Sequence, residues 1–158
     1  SFSYIDRLSQ LRPRDYIEYI RECADLALKR GEAKISGEIV KYNNREFSNY
    51  LFNEIRDEAH SVLPEFDNVI ALLPIIRKQV FSTEDFKNAY EEAIAKGSLC
   101  TSKSAEKILE SFFEYGIIGN APKAKGKAIF RYEYPNASIN HKEKAIIHRG
   151  LYGSLQIF

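Results

Sequence analysis

The sequence predicts a mainly α protein with a small C-terminal β-hairpin. Three observations predict it. Apolar residues recur at three- and four-residue spacing from about residue 13 to residue 115, the period of amphipathic helices. Near Ala128 the period switches to two, in "KAIFRYEY", the spacing of a half-buried strand. Pro, Gly and Ser interrupt the pattern where helices of ordinary length should start and stop.

The first helix is predicted over Pro13 to Lys29. Proline suits the first helical position because its missing N–H has no intrahelical partner there anyway, and Gly31 is a natural stop. Ile17, Ile20, Ala24, Ala27 and Leu28 form its expected apolar face. Ser36 is placed to cap a short helix through Ile39 and Val40. Asn43 with Glu46 three residues on resembles a capping box. It would open a helix from Arg45 to Val62 that carries Phe47, Tyr50, Leu51, Ile55 and Ala59 inward and breaks before Pro64.

From Phe66, "FDNVIALLPIIRKQ" is helical in period but bent or split by Pro74. "FSTEDFKNAYEEAIAKG" starts on Ser82 or Thr83, holds Asp85 in its first turn and stops at Gly97. "SKSAEKILESFFEYG" is the last helix and ends at Gly116. Its inward face is Ala105, Ile108, Leu109 and Phe112; Lys103, Glu106, Lys107, Glu110 and Glu114 point outward. In the strand that follows, Ala128, Phe130, Tyr132 and Tyr134 alternate with Ile129, Arg131 and Glu133, and a second short strand lies in "KAIIHRGL". Three helices followed by a hairpin with a long polar tip is the pattern of a winged helix, a helix-turn-helix variant. The predicted division is a helical segment over 1–63 and a winged-helix domain over 64–158.

Composition narrows the function classes. Net charge is +1, which argues neither for nor against a polyanionic partner, but the charge is polarised. Ala121 to Phe158 holds seven Lys/Arg against two Glu, which marks that end as a candidate binding surface. Cys23 and Cys100 lack a second Cys or a His at metal-ligand spacing, and two free thiols fit a reducing, cytoplasmic setting. No apolar run approaches the roughly 18 residues of a membrane span, so no membrane partner is expected. The chain contains no Met, so a fragment or a cleaved product is expected.

"RPRDYIEYIRECADLA", "FSNYLFNEIRDEAHSVLPEF", "FFEYGIIGN", "FRYEYPNASIN" and "AIIHRGLYGSL" together resemble the C-terminal part of bacterial P-loop ATPases of the AAA+/STAND neighbourhood, including phage-defence and DNA-repair-type ATPases. The resemblance covers nearly the whole chain. It implies a helical lid followed by a winged helix, downstream of a nucleotide-binding core that uses ATP and Mg. Within it, Arg12 and Arg14 resemble the lid arginines that sense the γ-phosphate, a role they would have only beside such a core. The alternative for both is an ordinary surface pairing with Asp15 or Glu18. Arginines at the positive end of a helix dipole are poorly placed without an anion to meet. The chain lacks its own phosphate cradle: Gly126-Lys127 is followed by Ala128 instead of Ser or Thr, and the leading position holds Ala121.

No catalytic constellation, resident cofactor or metal site is expected, since His60, His141 and His148 are scattered. The candidate nucleic-acid contacts are Ser102, Lys103, Ser104 and Lys107 at the start of the last helix, with Lys123, Lys125, Lys127 and Arg131 in the basic loop. These would hold DNA phosphates without reading sequence, because the outward helix face carries more Glu than Lys. The expected function is a regulatory or nucleic-acid-contacting module of a P-loop ATPase, without a catalytic site of its own. The alternatives are a free-standing winged-helix DNA-binding regulator, or a module that contacts neighbouring subunits and no nucleic acid.

Overall fold

The computed structural model describes residues 2–124 and 126–158. It is mainly helical with one small antiparallel sheet. Among the described residues the order is α1 (Phe2–Asp6), α2 (Pro13–Lys29), α3 (Gly37–Tyr42), α4 (Asn44–Ala59), α5 (Phe66–Ile70) and α6 (Leu72–Ile76). Then follow β1 (Val80–Phe81), α7 (Thr83–Ala95), α8 (Ala105–Glu114), β2 (Ile118–Asn120) and β3 (Ala145–Ile147). A 3₁₀ turn (Arg149–Leu151) and α9 (Tyr152–Leu155) close the chain.

The caps explain most boundaries. The Ser36 hydroxyl accepts from the Ile39 N–H at the start of α3. Ser82 and Asp85 form a reciprocal capping box on α7, and the Lys78 ammonium reinforces it at 2.7 Å from Asp85. These hydrogen bonds to Lys78 and Ser82 hold the Asp85 carboxyl down at about 2. Ser104 caps α8 through the Lys107 N–H. Gly97 and Gly116 follow the helix ends with φ of 72° and 69°, a region open to glycine without strain. The split expected in the segment from Phe66 falls at Ala71, between α5 and α6, and Pro74 lies inside α6.

Three expectations are corrected. First, α2 turns a different side to the core: Asp15, Tyr19, Cys23 and Ala27 are buried, while Ile17, Ile20 and Leu28 are 67%, 41% and 74% exposed. Second, Asn43 makes no side-chain cap on α4. Its amide instead donates to Glu22 at 3.0 Å and to the Tyr19 carbonyl, which ties α4 back onto α2. Third, residues 128–134 are not a strand. Ile129 forms a single bridge with Asn120, and the chain then turns, with the Tyr134 N–H donating to the Phe130 carbonyl at 3.0 Å. Phe130 and Tyr132 share a side because they stack on each other, with centroids 5.3 Å apart. The alternation is real, but its cause is an aromatic turn.

The hairpin is made by β2 and β3, in register Ile118↔Ile147 and Asn120↔Ala145. β1 pairs with the other edge of β3, so the sheet order is β1-β3-β2 and the last strand is central. The core runs without a break from Ile5 to Ile157. α4 packs against α2 on one side and against α9 and the 3₁₀ turn on another, so the last residues of the chain cover a helix from its first third.

Candidate nucleic-acid interface

The connection between β2 and β3 covers residues 121–144 and is folded back on itself. Asn120 organises it: its amide donates to the Ser138 carbonyl, and its side-chain oxygen accepts from the Asn140 N–H, both at 2.9 Å. The Thr83 hydroxyl donates to the His141 carbonyl and pins the far limb to the start of α7.

The cations expected to meet phosphate are mostly paired. Lys103 reaches Glu65 at 3.4 Å, Lys107 reaches Glu110 at 2.7 Å, Lys123 reaches Glu143 at 2.7 Å and Arg131 reaches Glu114 at 3.4 Å. Arg131 also donates to the Ala137 carbonyl. Ser104 is engaged as a helix cap, and Ser102 is exposed beside it. Lys127 is exposed and has no carboxylate within ion-pair distance among the described residues; Lys125 lies outside the described residues. Ser102, Lys103, Ser104 and Lys107 thus gather at one helix start, while the loop cations spread along the connection. Exposed ion pairs such as Lys107–Glu110 are worth about 0–1 kcal/mol, so a phosphate could displace that carboxylate at small cost, whereas Glu65 is also held by the Thr101 hydroxyl.

Arg12 and Arg14 converge on one carboxylate. Arg12 donates to Glu58 at 2.6 Å, and Arg14 bonds both Glu58 and, at 2.9 Å, Glu54. Arg12 also lies 3.4 Å from Asp15, a fully buried carboxylate that accepts from the Gln10 N–H. One Arg12 nitrogen, Nη2, and Asp15 Oδ1 are buried without a hydrogen-bond partner. The two arginines that open α2 therefore clamp it to α4, and neither pairs with Glu18, which takes Arg21.

His148, within "IIHRG", reads from the sequence as a hydrogen-bonded structural residue, and the structure has it so. Its ring is buried, and Nδ1 accepts from the Gly150 N–H at 3.0 Å. The ring proton is therefore on Nε2, which faces the Ser9 carbonyl at 3.1 Å and the Tyr132 hydroxyl at 3.0 Å. Burial, aided by the nearby Arg12 charge, pulls its pKa down to about 4, so the imidazole is neutral at pH 7. Phe130 and Tyr132 pack edge-on against it. Burial likewise raises the Tyr132 phenol above its ordinary range. This is a structural group, tying the end of β3, the connection between α1 and α2, and the aromatic turn together.

No group of three or more His, Cys, Asp or Glu side chains that could hold a metal ion occurs among the described residues. None of the described helices is long and apolar enough to cross a membrane.

Against this geometry, the comparison with family models finds one similarity. Residues 1–56 match the FunZ-associated C-terminal helical domain. The matched stretch contains α1 to α3 and most of α4, so the first part of the chain is similar to a C-terminal helical module. No curated protein and no solved structure matches the chain.

Proposed function

We propose that this chain is the helical-lid and winged-helix module of a P-loop ATPase, and that it contacts nucleic acid through phosphates without a catalytic site of its own. The observation that carries the reading is the element order α6-β1-α7-α8-β2-β3 with β3 central. That order supports reading the region as a winged helix, in which α8 would stand as the recognition helix and the β2–β3 connection as the wing. The FunZ-associated match over the preceding helices supports the C-terminal placement. In the whole protein Arg12 and Arg14 would exchange Glu54 and Glu58 for the γ-phosphate of a bound nucleotide.

The purified chain should turn over no ATP, because Gly126-Lys127-Ala128 supplies neither the cradle nor the Mg-binding hydroxyl. DNA should bind with a steep salt dependence and little sequence preference. The test is a titration of duplex and single-stranded DNA at two salt concentrations. It includes a Lys123→Ala/Lys125→Ala/Lys127→Ala variant, expected to bind more weakly than the parent. ATP turnover abolished by a point change within the chain would refute the first half. Absence of binding to either DNA at low salt would favour a module that contacts neighbouring subunits, the reading to which the acidic outward face of α8 already lends itself.

A further inference from the structure

Lys123 in the basic loop is paired with Glu143, but a surface that reaches the same loop at Lys127 gathers cations that are not paired among the described residues. A cleft of about 580 Å³ lies where α1, the aromatic turn and the end of β3 meet, and Arg7, Lys127 and Arg149 line it. A second cleft of about 630 Å³ adjoins it, sharing Arg149 and Tyr152 and adding Arg45. All four cations are exposed, and among the described residues none has a carboxylate within ion-pair distance. Two carboxylates, Asp6 and Glu133, line the first cleft, and Asp6 already accepts from the Tyr16 hydroxyl at 2.6 Å. Phe130 and Tyr152, both half-buried, lie along the first cleft, and Tyr152 continues into the second.

We propose that these joined clefts form a track for single-stranded nucleic acid, with phosphates held by Arg7, Lys127, Arg149 and Arg45 and bases stacked on Phe130 and Tyr152. Unpaired cations meet a phosphate without first giving up a carboxylate. Each cleft has the volume of a small-ligand pocket, roughly 300–1,000 Å³, and two joined end to end suit a polymer better than a lone nucleotide. Aromatic faces beside a basic groove are the sequence-tolerant device for unpaired bases, and a duplex keeps its bases stacked inside. The track rests on the nucleic-acid reading above and moves the principal contact away from α8.

The test is fluorescence anisotropy with a labelled oligothymidylate across a salt series. The parent is compared with Arg7→Ala/Arg149→Ala and Lys103→Ala/Lys107→Ala variants, each checked for an unchanged melting temperature. The groove variant should bind about 10-fold more weakly or worse. Its log K against log salt slope should be shallower by about 1.4, two phosphate contacts at about 0.7 each on a single strand. The α8 variant should stay within about twofold of the parent, since no track residue is changed. Tyr152→Ala should weaken binding while Tyr152→Phe preserves it, which separates stacking from hydrogen bonding. A groove variant that binds like the parent overturns the track and leaves nucleic-acid binding elsewhere intact. A duplex bound as tightly through the same arginines overturns the stacked geometry. A parent that binds no DNA at low salt overturns the track and the reading beneath it together.

Discussion

Helices α2 and α8 are both amphipathic, yet they are held by different forces. α8 buries Ala105, Ile108, Leu109, Phe112 and Phe113 and faces solvent with its charges. Phe112 meets the ring of Phe86 edge-on, with centroids 5.9 Å apart, so the attachment is almost wholly apolar. α2 is attached through polar atoms. Its buried side is Asp15, Tyr19, Cys23 and Ala27. The Tyr19 hydroxyl reaches the Val40 carbonyl and Asn44, Asp15 accepts from Gln10, and the Tyr19 backbone carbonyl accepts from Asn43. Hydrophobic contacts tolerate small shifts, whereas hydrogen bonds fix orientation. The difference shows that a helix's most apolar stripe and its buried side need not coincide when buried polar partners fix its rotation.

The largest effect expected from breaking this contrast is at α8. Phe112→Ala should destabilise the chain by about 3–5 kcal/mol, read as a lowered urea midpoint with a pH-independent deficit. The next concerns the polar junction in front of α2. The His148 imidazole is held near 4, below its ordinary 6.5. Between those values the unfolded chain binds a proton that the native chain does not. Stability from this group is therefore complete above pH 6.5 and is lost as pH falls toward 4, by about 3 kcal/mol on the linkage relation. Urea midpoints measured across that window should fall for the parent and fall less for His148→Gln.

A smaller effect sharpens the comparison directly. Tyr19→Phe keeps the ring against Phe47 and removes the hydroxyl, so it should cost about 1 kcal/mol, with two carbonyl oxygens losing a shared donor. An Ile108→Val change of similar size on α8 should act through packing alone. The smallest effect is expected where the apolar stripe is exposed: Ile17→Ser and Leu28→Ser should each alter stability by no more than about 0.5 kcal/mol. A loss of 2 kcal/mol at either position, seen in thermal melts, would show that the stripe is covered in solution.

Local grammar was legible in the sequence. Ser36, Ser82, Gly97 and Gly116 act where their chemistry implied, because capping depends on residues three or four apart; Ser104, read as a phosphate contact, turns out to cap α8. Long-range choices were not legible. β1 and β2 are too short to carry a period, and each exists only because β3 offers an edge. "KAIFRYEY" alternates like a strand, but a strand needs a partner, and the outer edge of β2 offers it one bridge. The candidate cations could be read from composition, whereas the pairing of Lys103 with Glu65, Lys123 with Glu143 and Arg131 with Glu114 depends on tertiary neighbours. The Arg7, Lys127, Arg149 and Arg45 groove unites residues far apart in the chain, and no window of sequence contains it.

Gly150 has a consequence for how such a chain comes into being. A methyl group there would collide with the Leu8 carbonyl oxygen and come within 2.6 Å of a Leu51 methyl, so three distant segments meet at a point with no room to spare. Leu8 and Leu51 leave the ribosome long before Gly150 is made. Until it arrives, the wall of α4 that α9 will cover stays wet, and the emerging polypeptide carries a sticky flank. Closure thus waits until the segment around Gly150 has been made, and it is a contact of long sequence separation, the kind that forms late. The stretch that matches the FunZ-associated domain ends inside α4, on the helix that α9 covers.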